Sequence, residues 1–186
     1  MVIGLAGYAQ SGKDTLLELL SQHGSRNYVR FAFADALKHE IKQRIQDEYG
    51  IDIFNCTPEQ KNSVRHIMVD VGAGRRAEDP DYWIKQTFAN IKRALAEDPT
   101  ITPVITDVRY ENEAEAFRSE FVGSRIVVIN RFGKGPANDE EAQYTSPLYR
   151  NEGNLDNIVQ FSWSDVSNYT ERDILVFVQM IESLTQ

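Results

Sequence analysis

Residues 7–15 read Gly-Tyr-Ala-Gln-Ser-Gly-Lys-Asp-Thr, and this stretch decides the fold. It follows a short apolar run at residues 2–6 and leads into residues 13–23, where four leucines share one face of a predicted helix. An apolar run without alternation is typical of a strand that is buried on both faces of a parallel sheet. The order of strand, glycine-rich turn and helix therefore predicts a loop at the carboxyl end of a buried strand.

The residue types of this loop are those that bind a phosphate group. Gly7 and Gly12 allow a backbone turn with positive φ, and they leave no Cβ between the backbone and an anion. The N–H groups of the loop and the positive N-terminus of the following helix can then converge on that anion. Lys13 adds a mobile cation, and the hydroxyl of Thr15 comes one position later than in the usual pattern. The predicted phosphate-binding residues are Gly7, Ser11, Gly12, Lys13, Asp14 and Thr15.

Two of these residues are also candidates for holding Mg²⁺. Thr15 can bind the ion directly or through water. Asp14 would repel a bound triphosphate unless it faces Mg²⁺ or a basic side chain, and we favour that interpretation. The alternative is a residue that faces solvent in the first helical turn, where the helix dipole favours a carboxylate.

The remainder of the chain alternates between strand and helix patterns, which predicts an α/β fold with a parallel sheet. Further strands are expected at residues 28–33, 103–106, 126–129 and 158–163, and helices at 35–49, 57 to 72 or 74, 80–97, 112–121 and 173–184. Residues 131–156, called the lid segment below, are rich in Gly, Asn, Pro and charge, and are too long for an ordinary connection. They predict an irregular lid, in which residues 139–141 form a solvated acidic face. We expect one domain, with an acceptor-binding helical part at about residues 35–98.

Charged residues after the predicted strands are further site candidates, because ligands gather at the carboxyl ends of parallel strands. Asp107 can orient Mg²⁺ or its waters, and Arg109 can clamp a phosphate through its planar guanidinium. The alternative is that Asp107 caps the next helix and that Arg109 pairs with Glu111 or Glu113.

Asp107 and Arg109 are also candidates for binding the substrate. Four further residues are candidates for the acceptor side, and one for the nucleotide side. Asp35 and Lys38 follow the second strand, although Asp35 can equally be a helix cap. Arg75 and Arg76 can bind a phosphate, or can simply be cations at a helix end. Arg131, at the start of the lid segment, can close over bound phosphates.

Composition limits the class of protein. A net charge of −8 over 186 residues argues against broad binding to a nucleic-acid backbone. No apolar run is long enough to span a bilayer, and the first residues lack a secretory signal pattern. The single cysteine, Cys56, agrees with a reducing compartment. We therefore expect a cytoplasmic protein, and the sequence leaves monomer and homodimer open.

Four blocks of sequence, in order, resemble the deoxynucleoside monophosphate kinases of bacteriophages. They are residues 11–15 (Ser-Gly-Lys-Asp-Thr), 33–38 (Phe-Ala-Asp-Ala-Leu-Lys), 80–84 (Pro-Asp-Tyr-Trp-Ile) and 107–114 (Asp-Val-Arg-Tyr-Glu-Asn-Glu-Ala). The resemblance implies a three-layer P-loop nucleotide-kinase fold with a five-stranded sheet, ATP and Mg²⁺, a deoxynucleoside monophosphate acceptor, and the host cytoplasm as the location. It implies that Lys13 and Arg109 bind phosphate and that Asp35, Lys38 and Arg75 or Arg76 lie near the acceptor. Residues 144–149 and 164–168 depart from the family pattern.

A monophosphate acceptor is largely dianionic at neutral pH, so its oxygen needs no catalytic base. Direct in-line transfer of the γ-phosphoryl group is therefore the expected reaction. Two alternatives stay open. One is a kinase for another phosphorylated acceptor, such as phosphomevalonate or a coenzyme precursor, and the other is a nucleotide-binding switch that transfers nothing.

Overall fold

The structure is a computed structural model that describes residues 1–151, 156–163 and 169–185. The described residues form five strands: β1 (Ile3–Ala6), β2 (Asn27–Phe31), β3 (Ile101–Val108), β4 (Arg125–Arg131) and β5 (Ile158–Trp163). All neighbouring pairs are parallel, in the order β2-β3-β1-β4-β5. The predicted α/β fold with a parallel five-stranded sheet is confirmed, and the predicted phosphate-binding loop leaves the central strand.

The helices are α1 (Lys13–His23), α2 (Phe33–Tyr49), α3 (Pro58–Ser63), α4 (Arg65–Glu78), α5 (Tyr82–Glu97), α6 (Glu111–Glu120), α7 (Ser146–Arg150) and α8 (Glu171–Leu184). The chain divides into two compact units, of which one comprises Met1–Phe31 and Ile91–Gln186 and contains the sheet. The other, Ala32–Asn90, contains α2 to α4 and the first half of α5. Within the described residues, no helix combines the length and the apolar character needed to cross a membrane.

Strand β1 shows no alternation of apolar and polar residues, and its burial explains why. All four residues of β1 are buried, because other elements cover both faces of the sheet. On one side, Leu16 and Leu20 of α1 and Phe177 and Ile181 of α8 join the strand residues in one core cluster. This packing fixes α1 against the sheet, and with it the loop between β1 and α1.

Several predicted boundaries were wrong for local reasons. The second helix begins at Phe33, so Asp35 lies in its first turn and is not its cap. The helix expected from Thr57 has the predicted capping box with Gln60, but it breaks at Val64. Its continuation α4 runs through both glycines to Glu78, because a packed helix tolerates glycines that would end an isolated one.

The lid segment is more regular than predicted. A π-helical turn, Glu141–Thr145, leads directly into α7, and Pro147 occupies the first turn of that helix. Residues 152–155 of the segment lie outside the described residues, as do residues 164–168, where the family pattern was expected to change.

The carboxylate of Glu182 anchors the end of α8 to the start of β2. It accepts hydrogen bonds from the Tyr28 hydroxyl at 2.7 Å, the Ser25 N–H at 2.7 Å and the Ser25 hydroxyl at 2.9 Å. Burial alone would raise the pKa of Glu182, but these three hydrogen bonds and the charge of Arg26 together outweigh it and lower the pKa. The charged form of Glu182 therefore stabilises the fold.

Replacing Tyr28 with Phe should lower the free energy of unfolding by about 1 kcal/mol at pH 7, because it removes a buried donor to a carboxylate. Since the folded-state pKa of Glu182 is depressed, this stabilisation is complete above its ordinary pKa and is lost as the pH falls through the folded value. The difference between wild type and Y28F in urea unfolding should thus shrink below about pH 4. An undiminished difference in acid would contradict the role given to the Glu182 charge.

Candidate functional site

The predicted phosphate-binding loop turns sharply between β1 and α1. Three of its residues have positive φ: Gly7 at 147°, Gln10 at 59° and Gly12 at 98°. Gly12 is the N-cap of α1 in a left-handed conformation, and its carbonyl accepts the first helical hydrogen bond from Leu16 at 2.9 Å. The glycines are therefore required by the backbone, as the sequence predicted.

The indole of Trp163, at the end of β5, supports the loop. Its N–H donates to the Ser11 carbonyl at 2.8 Å, and the ring stacks on Phe177 with centroids 5.2 Å apart. A Cβ on Gly12 would lie 2.2 Å from the Trp163 ring. This contact was not predicted, because the pattern of a strand does not reveal which element its last residue meets.

The ammonium group of Lys13 lies at the β1 end of the loop. It donates to the Gly7 carbonyl at 2.7 Å and to the Tyr8 carbonyl at 2.9 Å. Burial and then the charge of Arg109 lower the pKa of Lys13, whereas the carboxylates of Glu141, Asp14 and Asp107 act to raise it. The charges of three predicted site residues, Arg109, Asp14 and Asp107, therefore act on the partly buried ammonium of Lys13.

Glu141 places a carboxylate on the loop itself. Its Oε1 accepts from the Ala9 N–H at 2.9 Å, and its Oε2 accepts from the Ala137 N–H at 2.9 Å. The residue is only 6% exposed, so the predicted solvated acidic face is wrong at this position. A run of three acidic residues carries no sign of which one turns inward, and the sequence analysis missed this residue.

Two stacked tyrosines join the lid segment to the loop. The rings of Tyr8 and Tyr149 lie 4.2 Å apart, and the Tyr8 N–H donates to the Tyr149 hydroxyl at 3.0 Å. The same hydroxyl donates to the Ile129 carbonyl at 2.6 Å, while the hydroxyls of Tyr8 and Ser146 lie 2.9 Å apart. Burial raises the pKa of Tyr149 to about 12, so its hydroxyl keeps the proton that it donates.

Asp107 lies within β3, one residue before the end of that strand, and is partly buried. The cap of the following helix is Tyr110, so the alternative role of Asp107 as that cap is not found. Glu113 accepts hydrogen bonds from the main-chain N–H groups of Arg109 at 2.7 Å and Tyr110 at 3.1 Å. The Arg109 side chain is exposed, and its positive charge lowers the pKa of Lys13.

The remaining candidates on the nucleotide side lie around the loop. Arg131, the last residue of β4, donates to the Gln10 carbonyl at 3.4 Å, and Lys134 donates to the Gln10 side chain at 2.9 Å. Asp14 is exposed and Thr15 half-buried in the first turn of α1. Among the described residues, no group of three or more His, Cys, Asp or Glu side chains forms a metal site.

Four of the predicted substrate-binding residues, Asp35, Lys38, Arg75 and Arg76, lie in the unit of residues 32–90, whereas Asp107 and Arg109 lie in the unit that contains the sheet. Lys38 pairs with Asp35 at 3.1 Å. Arg75 donates to Glu40 at 2.8 Å and to Glu78 at 3.4 Å, and its guanidinium lies 5.0 Å from the centre of the Tyr82 ring. Arg76 is partly buried in the last turn of the same helix. Glu40 is a partner of Arg75 that the sequence analysis missed.

Replacing Gly12 with Ala should distort the loop, because the added Cβ meets the Trp163 ring and the backbone has φ of 98°. We expect a loss of stability of about 1–3 kcal/mol, measured by urea unfolding. Gly74→Ala is the matched control, since Gly74 is helical and no atom lies near its missing Cβ. That variant should be as stable as wild type or more so, and similar losses in both variants would contradict the argument.

Comparison with known proteins adds a likeness of fold. No family model matches the chain, and no curated protein matches it. Among solved structures, it is similar to a sugar kinase from a Janibacter species (TM-score 0.49, 13% identity, 98% of this chain and 94% of that one). It is also similar to a dephospho-CoA kinase from Campylobacter jejuni (TM-score 0.45, 11% identity, 98% and 95% covered). A shikimate kinase from Aquifex aeolicus matches with a TM-score of 0.41 at 16% identity, with 98% and 97% covered. At these values the likeness assigns no substrate, and the fold rests on the strand order itself.

Proposed function

We propose that this protein is an ATP-dependent kinase that transfers the γ-phosphoryl group to a deoxynucleoside monophosphate. One observation carries the proposal: an anion, the Glu141 carboxylate, already sits on a main-chain N–H of the loop, in the electrostatic field of Lys13. The Ala9 N–H and the Lys13 ammonium therefore suit the oxygens of a polyphosphate. The acceptor class is supported by the four blocks of sequence that resemble phage deoxynucleoside monophosphate kinases.

The charged groups around Lys13 account for the chemistry. Two anions must be held in line, and the charge that moves with the phosphoryl group must be neutralised. The ammonium of Lys13 and the guanidinium of Arg109 supply positive charge, and Arg131 borders the same loop. Burial and Arg109 disfavour the charged form of Lys13, so a bound polyphosphate would restore a favourable environment for it.

The oxygen donors near Lys13 suit Mg²⁺. Asp14 and Asp107 both act on the Lys13 charge, and Thr15 adds a hydroxyl in the first turn of α1. Carboxylate, hydroxyl and phosphate oxygens are the ligands that this hard cation takes. When bound, the ion would neutralise phosphate charge during transfer.

Lys13→Ala should reduce turnover at least about a hundredfold while the chain stays folded, because the variant loses the cation that follows the phosphoryl group. The measurement is coupled ADP release, with circular dichroism as the check on folding. Lys92→Ala is the matched control, since that lysine is exposed and pairs with Glu120 away from the loop. Turnover near the wild-type rate in the Lys13 variant would refute the assignment.

The acceptor is tested by ADP release with the four deoxynucleoside monophosphates and their ribose counterparts. We expect at least one deoxynucleoside monophosphate to stimulate release by about tenfold or more over the rate with ATP alone. If only another phosphorylated acceptor, such as phosphomevalonate, stimulates release, the proposed substrate is wrong but the protein is still a kinase. ATP binding without stimulation by any acceptor would indicate a switch.

A further inference from the structure

We propose that Glu141 is a specificity-determining residue that makes the loop discriminate between nucleoside triphosphate and diphosphate. Its carboxylate occupies the terminal-phosphate end of the loop, so a triphosphate must displace it, whereas a diphosphate need not. This inference rests on the proposed function, because it assumes that the loop binds a nucleotide.

The position of Lys13 identifies the two ends of the loop. In loops of this type the N–H groups cradle the inner phosphates, and the lysine reaches the outermost ones. Here Lys13 is the first residue of α1, and its ammonium reaches back to the carbonyls of Gly7 and Tyr8, at the β1 end of the loop. Ala9 is the next residue after Tyr8, and its N–H is the one that Glu141 holds at 2.9 Å. The carboxylate therefore lies where the outermost phosphate belongs.

The structure holds this carboxylate in place from several directions. Its second oxygen accepts from the Ala137 N–H at 2.9 Å, and the Glu141 N–H donates to the Asn138 side chain at 2.9 Å. Glu141 opens the π-helical turn, a local geometry that is frequent at functional sites. The stacked tyrosines, Tyr8 and Tyr149, fasten the following helix to the same loop. These contacts hold the Glu141 carboxylate in one position on the loop, where it binds the Ala9 N–H as a ligand would.

Charge makes the two ligands mutually exclusive. A carboxylate and a terminal phosphate are both anions, and in a partly buried site their repulsion is weakly screened. One N–H cannot satisfy both with good geometry. Once the γ-phosphoryl group has passed to the acceptor, the carboxylate can return to the Ala9 N–H while the diphosphate is still bound, because the diphosphate does not compete for that N–H.

The test compares the dissociation constants of ADP and of a non-hydrolysable ATP analogue, measured by calorimetry on the full chain. Glu141→Gln keeps the shape of the side chain and removes its charge. We expect the dissociation constant of the analogue to fall about tenfold, the effect of losing a charged hydrogen bond that competes, and that of ADP to change less than about twofold. Asp139→Asn removes the same charge from an exposed neighbour and should leave both constants unchanged.

Equal changes for both nucleotides in E141Q, no change in either, or weaker binding of the analogue would overturn the inference. Glu141→Ala gives a second measurement of the ratio between the dissociation constants of the analogue and of ADP if the glutamine variant is poorly folded. Lys13→Ala separates this inference from the proposed function. If that variant loses nucleotide binding while the E141Q ratio stays at the wild-type value, only the inference fails. If Lys13→Ala binds both nucleotides as wild type does, or wild type and E141Q bind neither, the proposed function fails as well.

Discussion

Residues 7–12 connect a strand to a helix, so their main-chain N–H groups cannot form the regular hydrogen bonds of either element. Several of these N–H groups instead find acceptors elsewhere in the chain. The Tyr8 N–H donates to a hydroxyl of α7, and the Ala9 N–H donates to a carboxylate of the π-helical turn. The Ser11 N–H turns back to the Tyr8 carbonyl. Since buried donors are costly when unpaired, these acceptors are part of what keeps the loop in one conformation.

The carbonyl groups of the loop need donors for the same reason. Lys13 caps two of them, and the Trp163 indole caps a third. The loop is therefore held by β5 on one side and by its own lysine on the other. A binding site built on such a backbone is organised before the ligand arrives, which reduces the cost of binding.

Several cations lie at the loop although the net charge of the whole chain is negative. The chain carries a net charge of −8, yet Lys13, Arg109, Arg131 and Lys134 all lie at or near the loop. A net negative charge over the whole chain does not prevent cations from gathering at one place on it. The carboxylates of Glu141, Asp14 and Asp107 also act on Lys13, and Glu141 differs from the other two in being buried.

Glycine conformation, strand hydrophobicity and helix periodicity are local properties, and they were sufficient to predict the loop, its flanking strand and helix, and the parallel α/β sheet. Helix α1 was predicted with its observed ends, and β5 likewise. Folding brings to the loop three side chains that were not predicted there: the Trp163 indole, the stacked Tyr149 ring and the Glu141 carboxylate come from residues more than a hundred positions away. Nothing near those residues in the sequence encodes the meeting, since it depends on strand order and on the packing of β4, β5 and the lid segment around one short turn.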